Sequence, residues 1–137
     1  RQRQMCIRDS TYPVHCVVYT GTHDNDTVMG WMKTAPKGSV KFAKEYLNLT
    51  EEEGYNWGMM RGAWSSVAEL AIVPMQDLIG AGSEARMNTP STLGGNWEWR
   101  ATADQITTAL SKRFYRYMQM YGRLRVDETE EKTAAEE

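Results

Sequence analysis

Two polar clusters in this chain carry the residue types that could do chemistry on a ligand. The first, THDND at residues 22–26, places His23 beside two carboxylates. A carboxylate next to an imidazole can stabilise developing positive charge and can hold a ligand rich in hydroxyl groups through hydrogen bonds. The same side chains could bind a metal, but His15 is the only other histidine and lies in the preceding apolar segment, so a second nitrogen ligand is lacking. A third hypothesis is structural, in which Asp24 and Asn25 only bond to the backbone of a turn.

The second cluster is a long loop rich in Gly and Asn, residues 77–100, which ends in GGNWEWR. Trp97 and Trp99 lie there beside Asn96, and we expect one tryptophan to face outward while the other packs inside. A tryptophan face offers flat apolar area to a sugar ring, whose hydroxyl groups bind to Asn and Asp side chains. Arg86 is expected to pair with Glu84 or Asp77 and so fix the loop. The two clusters together favour a carbohydrate ligand over a purely structural turn.

The segments that precede both clusters have the pattern of buried strands. Residues 14–20 and 69–75 are short, apolar and rich in β-branched side chains, as in strands that are covered on both faces of a parallel sheet. Ligands bind at the carboxyl ends of such strands, so the two clusters are expected at one edge of the sheet. Two strands leave long apolar edges open. We therefore expect an α/β fold in which this chain is part of a larger domain.

Helical spacing of apolar residues predicts the remaining elements. One helix is expected over residues 39–49, and a second is expected over about residues 50–66, opened by a capping box of Thr50 and Glu53. Trp57 and Trp64 lie seven residues apart on this second helix and are expected in the core. A capping box of Thr102 and Gln105 is expected to open the last helix, whose apolar stripe consists of Ile106, Leu110, Phe114, Tyr117, Met118 and Tyr121.

Composition excludes several classes of function. The 137 residues carry a net charge of −2, which argues against a nucleic-acid partner, and no apolar run approaches the roughly 18 residues of a membrane span. The low number of cysteines favours a cytoplasmic protein, and we expect no metal and no cofactor. Residues 1–10 are expected to be non-native or disordered, residues 11–126 to fold, and residues 127–137 to form an acidic, disordered tail.

With these clusters in place, the sequence resembles the C-terminal part of the 4-alpha-glucanotransferases, also called amylomaltases or disproportionating enzymes, which form family 77 of the glycoside hydrolases. The resemblance rests on YTGTHDNDTVMGW at residues 19–31, on IVPMQDLIGAGSEARMNTPSTLGGNWEWR at residues 72–100, and on their spacing. It implies the C-terminal portion of a (β/α)8 TIM-type barrel, to which this chain gives the last two strands and their helices. A barrel of this type needs eight strands and about 250 residues, so the chain is expected to be incomplete as a domain.

The resemblance also implies a reaction. Family members transfer α-1,4-glucan segments between maltodextrins by a retaining double displacement, in which an aspartate attacks and a glutamate protonates the leaving sugar. Asp24 takes the place of the second aspartate, which stabilises the transition state, and His23 is its sugar-binding neighbour. Asp77, Asn96 and Trp97 are expected to contact glucan. The nucleophile and the acid/base lie outside this chain, which is expected to need the missing N-terminal part and to be inactive alone.

Two other functions stay open at this point. A stand-alone carbohydrate-binding module could use the part of the loop over residues 77–100 that carries Trp97 and Trp99, called the tryptophan loop below. Such a module would leave the edges of the two strands exposed. A fragment of an α-amylase-type hydrolase would also carry an aspartate after a histidine at the matching strand. The long loop over residues 77–100 favours the transferase, because the resemblance assigns this extension to family 77.

Overall fold

The computed structural model describes residues 13–124, so the predictions for residues 1–10 and 127–137 lie outside the described residues. The described chain alternates between two short strands and a series of helices. The elements in chain order are β1 (Val17–Tyr19), α1 (Val28–Thr34), α2 (Lys37–Tyr46), α3 (Tyr55–Trp64), β2 (Leu70–Ile72), α4 (Met75–Ile79), a short 3-10 helix (Ser83–Ala85) and α5 (Thr108–Met120).

The two strands pair in parallel, with Val18 opposite Ala71. This pairing confirms the predicted parallel arrangement, although both strands are shorter than the predicted segments. Parallel strands need a long crossover, which α1, α2 and α3 supply here. The prediction that both strand faces are buried is wrong within residues 13–124, because no described element covers one face. The apolar side chains that are half exposed on that face are Val17, Tyr19, Leu70 and Ile72.

The start of each helix depends on capping side chains, and two starts differ from the prediction. Thr50 Oγ1 accepts a hydrogen bond from the backbone of Glu53, but the bond closes a turn and α3 begins only at Tyr55. In the second turn the roles are reversed, because the backbone N–H of Thr102 donates to the side-chain oxygen of Gln105, and again no helix begins there. The N-cap of α5 is Thr107, whose hydroxyl accepts from the backbone of the third helical residue. The capping chemistry was therefore correct and its assignment to helix starts was wrong.

The helix α1 is absent from the predicted elements. It begins directly after the first polar cluster, where Thr27 is the N-cap and accepts a hydrogen bond of 3.1 Å from the backbone of Gly30. At the other strand, Pro74 is the N-cap of α4, so residue 75 starts a helix rather than ending the predicted strand. No helix within residues 13–124 has the length and apolar character needed to cross a membrane.

The core lies between α3 and α5. Trp57 and Trp64 are buried, as predicted, and both rings contact Tyr117, with centroids 5.2 and 5.4 Å apart. Such tilted and edge-on contacts between aromatic rings add stability beyond the burial of their area. Met60 and Met118 complete the buried cluster. The core therefore fixes α3, which in turn contacts α1 and α4 beneath the two polar clusters.

A half-buried carboxylate joins the same two helices. Glu53 Oε1 accepts hydrogen bonds from Arg61 Nε at 2.9 Å and from the Tyr117 hydroxyl at 2.8 Å. Burial raises the pKa of Glu53, but these hydrogen bonds and the charges of Arg61 and Arg113 outweigh burial and hold the pKa below its ordinary value. The ionised carboxylate thus stabilises the packing of α3 against α5.

Replacing Glu53 by Gln tests this contribution. The variant should lose about 1.5–3 kcal/mol of unfolding free energy near neutral pH, the usual range for hydrogen bonds to a charged group. Because the pKa of Glu53 is lower in the folded state than in the unfolded state, its stabilisation is present above the ordinary glutamate pKa of about 4.3 and is lost as the pH falls through the folded pKa. Urea denaturation of the purified protein across this pH range measures both effects.

Glu52→Gln is the matched control, because the side chain of Glu52 is exposed and makes no hydrogen bond within the described residues. The control should unfold like the wild type at every pH. Equal losses in the two variants, or a loss in Glu53→Gln that grows as the pH falls, would contradict the role of Glu53.

Candidate functional site

A cleft of about 480 Å³ lies where β1 and β2 end. The last residue of each strand, Tyr19 and Ile72, forms part of its wall, and the loops that follow the strands form the rest. The carboxyl ends of the parallel strands thus meet at one edge, as the sequence predicts. The polar side chains around the cleft include those of Thr22, His23, Asp26, Gln76, Asp77 and Arg86.

His23, Asp24 and Trp97 come together at this edge. His23 Nε2 lies 3.3 Å from Asp24 Oδ1, and Asn88 Nδ2 donates to the same oxygen at 2.6 Å. The side chains of His23 and Asp24 are 56% and 48% exposed, so both can meet a ligand. Within the described residues only Oδ1 of Asp24 has a hydrogen-bond partner, which leaves Oδ2 available to ligand hydroxyl groups. The structure therefore presents an oriented carboxylate beside an imidazole.

The indole of Trp97 forms the aromatic side of this group. Its ring centroid lies 5.1 Å from that of His23, with the ring planes 39° apart. The residue is 50% exposed, whereas Trp99 is more buried, which agrees with the prediction that one tryptophan faces outward. The backbone of Trp97 has a φ of 66° and its N–H donates to Met87 at 2.7 Å. The strained left-handed conformation is thus held by a contact from the other part of the loop.

Arg86 and Asn88 attach the loop over residues 77–100 to the first cluster. Arg86 Nη2 donates to the carbonyl of Asp24 at 2.7 Å, and its Nε donates to the carbonyl of Asn88. The backbone N–H of Asn88 donates to the carbonyl of His23 at 3.1 Å. Arg86 therefore fixes the loop as predicted, but its partners are carbonyl oxygens and the predicted carboxylate partner is wrong.

Asp77 lines the cleft but is almost fully buried. The residue is 2% exposed, and its two carboxylate oxygens accept hydrogen bonds from the Thr20 hydroxyl and from the backbone N–H of Val28. Burial raises the pKa of Asp77, while these two hydrogen bonds lower it and the nearby charge of Asp26 raises it further, leaving the pKa above its ordinary value. Direct contact between Asp77 and a glucan stays a prediction.

Asn96 holds the tryptophan loop together. Its side-chain oxygen accepts from the backbone of Thr89 at 2.9 Å, and its side-chain nitrogen donates to Thr92 Oγ1 at 3.0 Å. The predicted contact of Asn96 with glucan also stays a prediction. As for metals, residues 13–124 contain no group of three or more His, Cys, Asp or Glu side chains arranged to hold an ion.

The family comparison decides between the hypotheses that the geometry leaves open. Residues 2–107 match the family described as 4-alpha-glucanotransferase. The chain belongs to the 4-alpha-glucanotransferase family. This match favours the glucanotransferase hypothesis over an α-amylase-type hydrolase and over a stand-alone carbohydrate-binding module. The match begins at residue 2, within the segment that is expected to be non-native or disordered, so the boundary at residue 11 stays a prediction.

Individual 4-alpha-glucanotransferases resemble this chain over most of its length. This chain is 55% identical over 113 residues to the 4-alpha-glucanotransferase of Clostridium butyricum. The alignment covers 82% of this chain and 23% of that protein. This chain is 48% identical over 111 residues to the chloroplastic/amyloplastic enzyme of Solanum tuberosum, covering 79% of this chain and 19% of that protein. The chain thus spans about a quarter of these relatives or less.

A solved structure has the same fold. The amylomaltase of Streptococcus agalactiae in complex with acarbose superposes with a TM-score of 0.82 at 28% identity, over 86% of this chain and 24% of that chain. The predicted α/β class and the resemblance to an amylomaltase are therefore confirmed.

Sequence reasoning missed two residues that contribute to the candidate site. Asn88 orients Asp24, and the only local signal for it is its place in the SEARMN part of the loop. Gly30 allows α1 to approach the loop, because a Cβ there would overlap both Asp26 Oδ2 and Ser83 Oγ. Those two atoms share a hydrogen bond of 2.7 Å that links the first cluster to the 3-10 helix.

Gly30→Ala should break that link. The added methyl group must displace the Asp26 and Ser83 side chains, and overpacking of this kind typically costs about 1–3 kcal/mol of unfolding free energy. Gly38→Ala is the matched control, since it also adds a methyl group to a helix but meets no atom within 4 Å. The control should be neutral or stabilising by up to about 1 kcal/mol. Denaturant unfolding of the two variants compares them, and equal effects would contradict the close approach at Gly30.

Proposed function

We propose that this chain is the C-terminal part of a 4-alpha-glucanotransferase that transfers α-1,4-glucan segments between maltodextrins by a retaining double displacement. The observation that carries the proposal is the grouping of His23, Asp24 and Trp97 at the carboxyl ends of parallel strands, in a chain of this family. The similar amylomaltase structure with acarbose supports an α-glucan ligand.

Asp24 stabilises the transition state in this proposal. Retaining enzymes pass through a transition state that resembles an oxocarbenium ion and carries positive charge on the sugar. A carboxylate oriented in advance stabilises such charge without having to reorganise during the reaction. The contacts of Asp24 Oδ1 with Asn88 and His23 provide that orientation, and Oδ2 is left to bind the sugar hydroxyl groups.

Trp97 and His23 bind the glucan chain. The half-exposed indole gives an apolar face for the C–H groups of a glucose ring, and the imidazole beside it can bond to a hydroxyl group. Asn96 and Asp77 enter the proposal as residues that shape the glucan site. Their polar atoms already bond to the protein, so an effect on glucan through the loops is better supported than direct contact.

The remainder of the active site lies outside this chain. The half-exposed apolar face of β1 and β2 supports a barrel in which these are the last two strands and the rest of the enzyme covers that face. The nucleophile and the acid/base lie on earlier strands, so the chain needs the N-terminal part of its own enzyme and is inactive alone. We infer a cytoplasmic location from the low number of cysteines. The relative from Solanum tuberosum, in contrast, is named chloroplastic/amyloplastic.

The proposal is tested by incubating the complete enzyme, and separately the isolated chain, with maltotriose. The complete enzyme should release glucose and form longer maltodextrins, because each transfer to an acceptor lengthens a glucan. The isolated chain should form neither product. Hydrolysis without longer products would favour the α-amylase-type alternative, and transfer by the isolated chain would contradict the placement of the nucleophile outside it.

Asp24→Asn tests the role of the carboxylate in the complete enzyme. The amide keeps the shape of the side chain but loses the negative charge that faces the developing positive charge, so kcat should fall by about 10³-fold or more. The circular dichroism spectrum and the thermal midpoint should not change. Asp104→Asn is the control, because Asp104 is an exposed aspartate in the turn before α5. Wild-type turnover in Asp24→Asn would refute the assignment.

A further inference from the structure

We propose that Asp77 is a positioning residue for glucan transfer, because its one carboxylate ties together the two ends of the loop that presents His23 and Asp24. This loop, residues 21–27, is called the site loop below. The inference rests on the proposed function and assigns Asp77 no contact with substrate.

The two oxygens of Asp77 bind the residues that flank the site loop. Thr20, the residue before the loop, donates its hydroxyl to Oδ2 at 2.7 Å. Val28, the residue after the loop, donates its backbone N–H to Oδ1 at 2.8 Å. One carboxylate therefore sets the separation between the end of β1 and the start of α1, from which the site loop extends.

Asp77 is itself fixed to the core. Its carbonyl accepts a hydrogen bond of 2.7 Å from the side-chain amide of Asn56, which is buried in α3 beside the tryptophan core. Its backbone N–H donates to Pro74 at the start of α4. Asp77 thus joins the site loop to α3, the most buried helix of the described chain, and the position of Asp24 is determined relative to that helix.

Three sets of contacts attach the site loop to the rest of the described chain, and one of them is the Ser83 hydroxyl, which donates to Asp26 Oδ2 near the end of the loop. Arg86 and Asn88 hold its tip through the carbonyls of Asp24 and His23 and through the Asp24 carboxylate. Asp77 holds its base. Because the tip contacts come from a long exposed loop and the base contacts come from a buried side chain, loss of the base contacts should let the whole loop shift. A misplacement of about 1 Å can cost about 10²-fold in rate.

The test uses two pairs of variants in the complete enzyme, with maltotriose as substrate. Asp77→Ala removes both bonds, whereas in Asp77→Asn the amide oxygen can accept from Val28 and the amide nitrogen can donate to Thr20 Oγ1. Thr20→Val removes only the hydroxyl bond, and Thr20→Ser keeps it. We expect kcat to fall by about 10²-fold in Asp77→Ala and by a smaller factor in Thr20→Val, and to stay near the wild-type value in Asp77→Asn and Thr20→Ser.

The readout separates positioning from stability. Each kcat is measured well below the variant's thermal midpoint and divided by the folded fraction. A merely structural role would lower the midpoint and leave kcat per folded molecule unchanged, whereas positioning lowers kcat per folded molecule in Asp77→Ala and Thr20→Val. If Asp77→Ala does not fold, Thr20→Val against Thr20→Ser decides the question by itself.

The outcomes also separate this inference from the proposed function. A wild-type enzyme that forms no longer maltodextrins would overturn the proposed function, whatever the variants do. A wild-type enzyme that transfers glucan, together with full kcat per folded molecule in Thr20→Val and in any folded Asp77→Ala, would overturn the inference and leave the proposed function in place.

Discussion

The buried carboxylate of Asp77 is the constraint on which the arrangement of the site depends. Burying a carboxylate is costly unless hydrogen bonds replace its lost hydration, and here each oxygen accepts one strong bond from a different side of the site loop. An apolar side chain at this position would leave the Val28 N–H and the Thr20 hydroxyl without acceptors. The raised pKa of Asp77 reflects the unfavourable burial of its charged form. The two hydrogen bonds that offset this burial also fix the ends of the site loop.

The aromatic core gives this constraint a rigid reference. Trp57 and Trp64 pack against α5 and fix α3, and the Asn56 amide on α3 holds the carbonyl of Asp77. The site side chains themselves are half exposed and lie on loops, as binding groups commonly do when a packed scaffold positions them. The core therefore fixes Asp77 through Asn56, and Asp77 fixes both ends of the exposed site loop.

The sequence predicted those features that arise from apolar periodicity, and it failed at helix starts set by polar caps and at contacts between residues distant in the chain. Strand and helix patterns were enough for the parallel pairing and for the core tryptophans, because apolar spacing alone carries that information. The helix α1 was missed because its cap, Thr27, directly follows the polar cluster at residues 22–26, whose composition is typical of a turn. The bond between Asn88 and Asp24 joins residues 64 positions apart, and no local pattern encodes such a contact.

Two of the exposed apolar surfaces among residues 13–124 have different physical meanings. The exposed face of β1 and β2 consists of the side chains of Val17, Tyr19, Leu70 and Ile72. Its only polar group is the phenol of Tyr19, and an apolar face of this kind is typical of surface that packs against protein. Trp97 is exposed next to an imidazole, a carboxylate and an amide, and this mixture of apolar area and convergent polar groups is typical of ligand sites. The first surface is suited to packing against further protein, and the second is suited to binding a ligand.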